Sequence, residues 1–356
     1  MDVIMSWSRI LGHERQVDAF RRIVAQGRLA HAYLFAGPPG IGKRLFAREL
    51  ARAILCESTA REGLEACDAC EACLLVEAGT HPDLFMVSRP EDKNEIPVAL
   101  MQDLCRDFSL KTARGKGKIG ILDDADDLNE ESANCFLKTL EEPPPGSLFI
   151  LIGSGGDRQL PTIKSRCQMV RFAPLPDPLV SEMLRRQGIE EAGQLERLVR
   201  IAGGSPGQAL ALADESLWQF RRTLLQALAR PKIAAIELAR QFVEAMEEAG
   251  KETAPQRQRA ALLVRLLVES LNDVLRLQAG APSRSADSLE IPLLASLAQR
   301  AEPDKILALL DRSLETETHL GRYLQLSLVV EGLVDGLARL LEHTGPLPLR
   351  YQGFPS

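Results

Sequence analysis

The sequence predicts an α/β phosphate-loop domain built on a parallel sheet, followed by an all-helical remainder. Three observations carry that reading. Short apolar runs alternate with helix-periodic segments through the first half of the chain. A glycine-rich loop, Gly37-Pro38-Pro39-Gly40-Ile41-Gly42-Lys43, lies between the first such run and a helix. After Pro174 the strand-like runs stop, and apolar residues recur at helical spacing instead. Strands alternating with helices are the pattern of a doubly wound parallel sheet.

Taken in order, residues 8–28 read as a helix after a short lead, with Val17, Phe20, Ile23 and Val24 at helical spacing. HAYLFAG is a buried strand ending in glycine, and KRLFARELARAILC is the helix after the loop. A second strand is expected at Leu84–Val87, after His81-Pro82-Asp83. Residues 96–110 form a helix opened by Pro97, which suits a first turn because its missing N–H would be unpaired there anyway. KIGILDDAD is a buried strand ending in acids, ESANCFLKTLEE a helix stopped by three prolines, and SLFILIGS another strand. Residues 177–212 are short helices interrupted by GGSPG. Beyond Leu217 nearly every segment is helical, with linkers expected at 249–255 and 279–288.

A chain of 356 residues holds two or three domains. The expected division is a phosphate-loop domain over 1–174 with an insertion at 56–73, a helical lid over 175–213, a helical domain over 214–344 and a tail over 345–356. Only 4% of residues are aromatic, so the core rests on Leu, Ala, Ile and Val, which favours helices. The net charge of −6 argues against a protein that grips a long stretch of DNA alone, because each phosphate contact draws on a Lys or Arg. A nucleic-acid surface shared with more basic partners stays open. The start, MDVIMSWSRI, lacks the basic and apolar regions of a signal peptide, and no apolar run reaches about 18 residues, so a cytoplasmic protein with no membrane contact is expected.

The loop fits G-x-x-x-x-G-K. Gly37, Gly40 and Gly42 permit backbone angles that turn N–H groups inward into a nest for phosphate oxygens, and the following helix adds its positive end. Lys43 would meet the β and γ phosphates of ATP or ADP. The next position calls for Ser or Thr, whose hydroxyl ligates magnesium. Arg44 stands there, offers no acceptor, and brings positive charge toward the metal position. The acidic strand end supplies Asp123, in the place that supports magnesium, and Asp124, where a longer Glu would polarise the attacking water. The alternative is a solvated acidic turn. Ser154, at the next strand end, is placed to orient water or a γ-phosphate, although strand ends expose serines routinely.

Cys56, Cys67, Cys70 and Cys73 form C-x10-C-x2-C-x2-C. Four thiolates can close a tetrahedral zinc site, whereas a bacterial iron–sulfur run needs a further cysteine soon after Cys73. Residues 74–79 contain none, so zinc is favoured. Cys56 follows Lys43 by 13 residues, which is about 20 Å along a helix, so this metal would be structural and staple a small insertion. Cys105, Cys135 and Cys167 read as packed or incidental.

The segments GPPGIGKR, HPDLFMV, KNEIPVALMQDL, ILDDADDLNEESANCFLKTLEEPP and LPTIKSRC occur in an order that resembles the AAA+ clamp-loader subunits of bacterial DNA polymerase III, over roughly residues 8–210. Within that family the chain is most similar to the delta-prime branch. The ATP-hydrolysing tau/gamma branch keeps GKT, a DE pair and a sensor arginine, where this chain has Gly42-Lys43-Arg44, Asp123-Asp124 and Gln208. The resemblance implies a zinc module at the cysteines and a helical collar joining tau/gamma-type and delta-type subunits in a hetero-pentamer. Such a pentamer acts on the sliding clamp and on primed DNA. It also gives Arg166, in Ser165-Arg166-Cys167, the role of an arginine finger that reaches a neighbouring subunit's ATP. The plainer reading of Arg166 is a helix-end ion pair. The alternative to a bracing subunit is an active ATPase of tau/gamma type using Lys43, Asp123 and Asp124.

Overall fold

The computed structural model describes residues 6–58, 64–90, 93–155, 159–284, 287–321 and 324–343. The expected tail at 345–356, part of the insertion at 56–73 and part of the 279–288 linker lie outside the described residues. The chain divides into two compact units, one formed by Met1–Met183 with Gly203–Gln208, the other by Leu184–Ala202 with Ala209–Ser356.

The first unit opens with a 3-10 turn at Ser6–Arg9, then α1 (Glu14–Ala25), β1 (Ala32–Ala36), α2 (Lys43–Leu55), α3 (Glu71–Ala78), β2 (Leu84–Val87), α4 (Val98–Ser109), β3 (Lys118–Leu122), α5 (Glu130–Glu141), β4 (Ser147–Gly153), α6 (Pro161–Lys164) and β5 (Gln168–Arg171). Among the described residues the strands form a five-stranded sheet in the order β2-β3-β4-β1-β5, with every pair parallel. All strands therefore end on the same edge. Ala36 pairs with Gly153, and Leu122 with Leu151, so the segments after β1, β3 and β4 emerge side by side. That edge is where open parallel sheets hold ligands.

Side-chain alternation explains the two-sided core. Tyr33 and Phe35 of β1 join Phe20 and Phe46 from α1 and α2 on one face, while Leu34 points the other way toward Phe149, Phe108 and Phe136. Buried polar anchors set the loops. Asp83, in the His81-Pro82-Asp83 turn, accepts from the backbone N–H groups of Ala113 and Arg114 at 2.8 and 2.9 Å. Asn129 caps α5 by accepting from the Ser132 N–H at 2.8 Å.

Two expectations need correction. The helix expected over 8–28 is shorter and begins at Glu14, because Gly12 takes φ +81 and breaks the chain after the 3-10 turn. Strand β5 gave no strand signal: QMVR is an edge strand, half-buried or exposed throughout, so it lacks the apolar run that marks an interior strand.

Downstream lie α7 (Asp177–Arg186), α8 (Ala192–Ala202), α9 (Pro206–Ala211), α10 (Glu215–Ala229), α11 (Ala235–Glu247), α12 (Thr253–Gln278), α13 (Glu290–Arg300), α14 (Pro303–Leu320) and α15 (Leu326–Glu342). In the second unit α12 packs on α10, α13 and α14, and α15 packs on α11 and α14. The core is mostly aliphatic, with Trp218, Phe220 and Phe242 as its buried aromatic side chains among the described residues. It also encloses a charge: the fully buried Arg221 lies 3.2 Å from the carboxylate of buried Glu290, with Trp218 beside it. None of the helices in the described residues is long and apolar enough to cross a membrane.

Candidate functional site

The shared strand edge holds a cleft of about 450 Å³ lined by Pro39, Gly40, Gly42, Lys43, Arg44, Asp123, Asp124, Asp126, Ile152, Gly153 and Ser154. Sequence-distant residues expected to act together thus meet in one place. Gly40 and Gly42 adopt φ +75 and +100, the left-handed conformations that a phosphate nest needs. Gly37 stands outside the lining and serves packing: a Cβ there would lie 2.2 Å from the Phe172 carbonyl oxygen.

Lys43 is only 6% exposed, and its ammonium donates to the Gly37 and Pro38 carbonyls at 2.6 Å each. Burial holds its pKa below the ordinary lysine value, with Asp123 and Asp126 working the other way. Arg44, the residue in the hydroxyl position, sets its guanidinium 3.4 Å from the Asp123 carboxylate. Asp124 takes the left-handed conformation at φ 54. Loss of hydration beside the cleft and the charge of Asp123 push its carboxyl up from the usual range, an effect limited by the exposure of the side chain.

Three participants were not singled out in the sequence. Asp126 accepts from the Ser154 N–H at 2.6 Å and from the Gln159 amide, tying the end of β3 to the end of β4. It was hidden inside a run of acids. His13 Nε2 lies 2.7 Å from the Ile41 carbonyl and its ring packs edge-on to Phe172, which steadies the loop from below. Ser205, from GGSPG, donates to the Pro39 carbonyl at 2.8 Å, while the Gly207 N–H donates to the Gly40 carbonyl at 2.9 Å. GGSPG is a strap on the phosphate loop as well as a helix breaker. Gln208 follows in that strap, its N–H donating to Ser205 Oγ at 3.2 Å.

Arg166 lies outside the cleft lining, just past α6. It donates to Glu141 through Nε at 2.9 Å and through Nη2, and to the Thr162 carbonyl at 2.8 Å. Within the single chain it therefore makes the helix-end ion pair, with part of the guanidinium exposed.

At the other end of α2 the sulfur atoms of Cys56, Cys67, Cys70 and Cys73 all lie within 4.8 Å of one another. Cys56 and Cys70 are 3.9 Å apart, close to the edge of about 3.8 Å that a tetrahedron with 2.3 Å metal–sulfur bonds requires. Burial raises the Cys56 and Cys73 thiols. At Cys70 burial also pulls upward, but the backbone N–H groups of Glu57 and Cys73 outweigh it and bring the thiol down to about 6. Four sulfurs this close, two of them buried, are a donor set that a soft divalent cation fits and that can bind a metal. The module is fixed to α2 by charge: Arg52, held on its own helix by Glu49, pairs with Asp68 at 3.1 Å and with Glu77 of α3 at 3.3 Å. Cys105, Cys135 and Cys167 are half-buried against the sheet core, as packed residues.

Comparison with known proteins fits this architecture. Residues 12–176 match the family model described as DNA polymerase III, delta subunit. The chain is 32% identical over 295 residues to DNA polymerase III subunit delta' of Escherichia coli, covering 82% of this chain and 84% of that protein. It is 40% identical over 216 residues to the delta' subunit of Pseudomonas aeruginosa, covering 59% and 65%. The Escherichia coli tau subunit is 32% identical over 219 residues, covering 60% of this chain but 33% of that longer protein. With the match to the Escherichia coli delta' protein running through both units, this chain belongs to the DNA polymerase III subunit delta' family.

Proposed function

We propose that this chain is the bracing, delta-prime-type subunit of a bacterial clamp loader. In that role it joins tau/gamma-type and delta-type subunits in a hetero-pentamer through its helical collar. It meets the sliding clamp and primed DNA only as part of that assembly, in the cytoplasm. The three-part division into a phosphate-loop domain, a lid and a collar belongs to this reading, as does a structural zinc ion on Cys56, Cys67, Cys70 and Cys73.

The observation that carries the reading is the ion pair between Arg44 and Asp123. A hydrolytic site needs a hydroxyl and a carboxylate free to hold magnesium, and here a guanidinium engages the carboxylate. The short Asp124 and the Gln208 in place of a sensor arginine point the same way. This chain's own turnover is then absent or very slow, which speaks against the tau/gamma alternative. Its catalytic contribution lies in Arg166, which leaves Glu141 to place its charge on the transferring phosphoryl group of the neighbour's ATP. The partial exposure of that guanidinium supports this role.

The test is a reconstituted loader. Arg166→Ala should lower clamp- and DNA-stimulated ATP turnover by about 100-fold or more while assembly by gel filtration stays intact. Unchanged turnover rejects the finger. Turnover at ordinary rates by the isolated chain, lost in Lys43→Ala, rejects the bracing role.

A further inference from the structure

The cleft is built for phosphate even though it is not built for hydrolysis. Its glycines hold the nest geometry, and two hydrogen bonds from the strap, Ser205 to Pro39 and Gly207 to Gly40, hold the loop turned from within the chain. A preformed loop costs little to order on binding. Lys43 is buried on the carbonyls of its own loop, within the cleft lining and ready to exchange those acceptors for charged phosphate oxygens.

The question is what neutralises the phosphate. A magnesium ion on Asp123 would need that oxygen at about 2.1 Å and would bring two positive charges beside a guanidinium already 3.4 Å from the same carboxylate. The guanidinium itself supplies fixed positive charge and five N–H donors in a planar fork, enough to keep one contact on Asp123 and offer others to phosphate. The remaining acids are accounted for. Both oxygens of Asp126 already accept hydrogen bonds from Ser154 and Gln159. Asp124 is turned into a left-handed conformation and lies exposed at the rim of the cleft.

We infer that Arg44 takes the place of the divalent cation, so that the cleft holds the polyphosphate group of a ligand without magnesium. The ligand is bound and kept, not turned over. This deepens the reading of the cleft as a site without hydrolysis. It is read on the isolated chain, so its failure is separate from that of the clamp-loader role, which is read on the assembled complex.

The experiment is calorimetric titration of the full chain with ATP and, in parallel, with inorganic pyrophosphate, each in excess EDTA and in excess Mg2+. The expected result is binding in EDTA within about threefold of that in Mg2+. Tighter binding of ATP assigns a nucleotide as the source of the polyphosphate; equal binding of pyrophosphate assigns the free anion. Arg44→Thr should make binding depend on Mg2+ by about tenfold or more, since the threonine hydroxyl restores a metal ligand. Lys43→Ala should abolish binding, and its circular dichroism and assembly into the loader report that it has folded. Binding of the native chain only with Mg2+ overturns the inference, as do no binding under either condition, persistence in Lys43→Ala, or indifference to Mg2+ in Arg44→Thr.

Discussion

Helix α2 carries a different kind of site at each end. Its N-terminus opens from the phosphate loop, where backbone geometry is kept and one donor essential for metal-assisted chemistry has been replaced. Its C-terminus runs into Cys56, where all four sulfurs converge as a metal site requires. The first end shows that a motif can persist as architecture after its chemistry has changed, because glycines and a buried lysine also serve packing. The second gathers exposed Cys67 and half-buried Cys70, which contribute little to a core, with buried Cys56 and Cys73 into a donor set that can bind a metal.

Three substitutions test that contrast, in decreasing order of effect. Cys70→Ser removes a sulfur ligand at the C-terminal end. It should release about one zinc per chain and destabilise the first unit by about 4 kcal/mol or more, the scale of losing a structural metal. Metal analysis and calorimetry check this, and retention of full zinc with an unchanged melting profile would break the contrast. Arg52→Ala comes next. Arg52 and Glu49 are each 3% exposed, and stranding a buried carboxylate costs about 3 kcal/mol. Urea titration should show that loss together with faster zinc release, because Asp68 sits between Cys67 and Cys70 and loses its anchor. Gly40→Ala at the N-terminal end should cost about 1–2 kcal/mol from the left-handed backbone alone. The added methyl would also press on Ser205 Oγ, 2.6 Å from the ideal Cβ position. If Gly40→Ala proves neutral in the same titration, the phosphate loop is not held as architecture, and the account of that end fails.

Much of the sheet was legible because interior strands announce themselves. After their first residues, Lys118 and Ser147, KIGIL and SLFILIG carry no polar side chain, and β2 falls at the expected Leu84–Val87. The edge strand β5 was silent because its residues face solvent in part and its one neighbour, β1, supplies the pairing. The cleft was legible wherever a loop or strand end imposes a residue type: Gly40, Gly42, Lys43, Arg44, Asp123 and Asp124 all line it. What a single sequence concealed were partnerships across distance. Nothing local ties Ser205 to Pro39 or Gln159 to Asp126, and the ion pair joins Arg44, a departure from the pattern, to Asp123, which stands in its ordinary place.

The strap at residues 203–208 has a consequence for biosynthesis. The first unit is not continuous in the chain: it breaks off after Met183 and is completed only by Gly203–Gln208. A nascent chain that has released all five strands from the ribosome still lacks the two hydrogen bonds that hold the phosphate loop turned. At roughly 5–20 residues per second, the segment needed to supply them follows about two to seven seconds later. The sheet can therefore form before the edge that carries the cleft, which is the last part of the first unit to be completed.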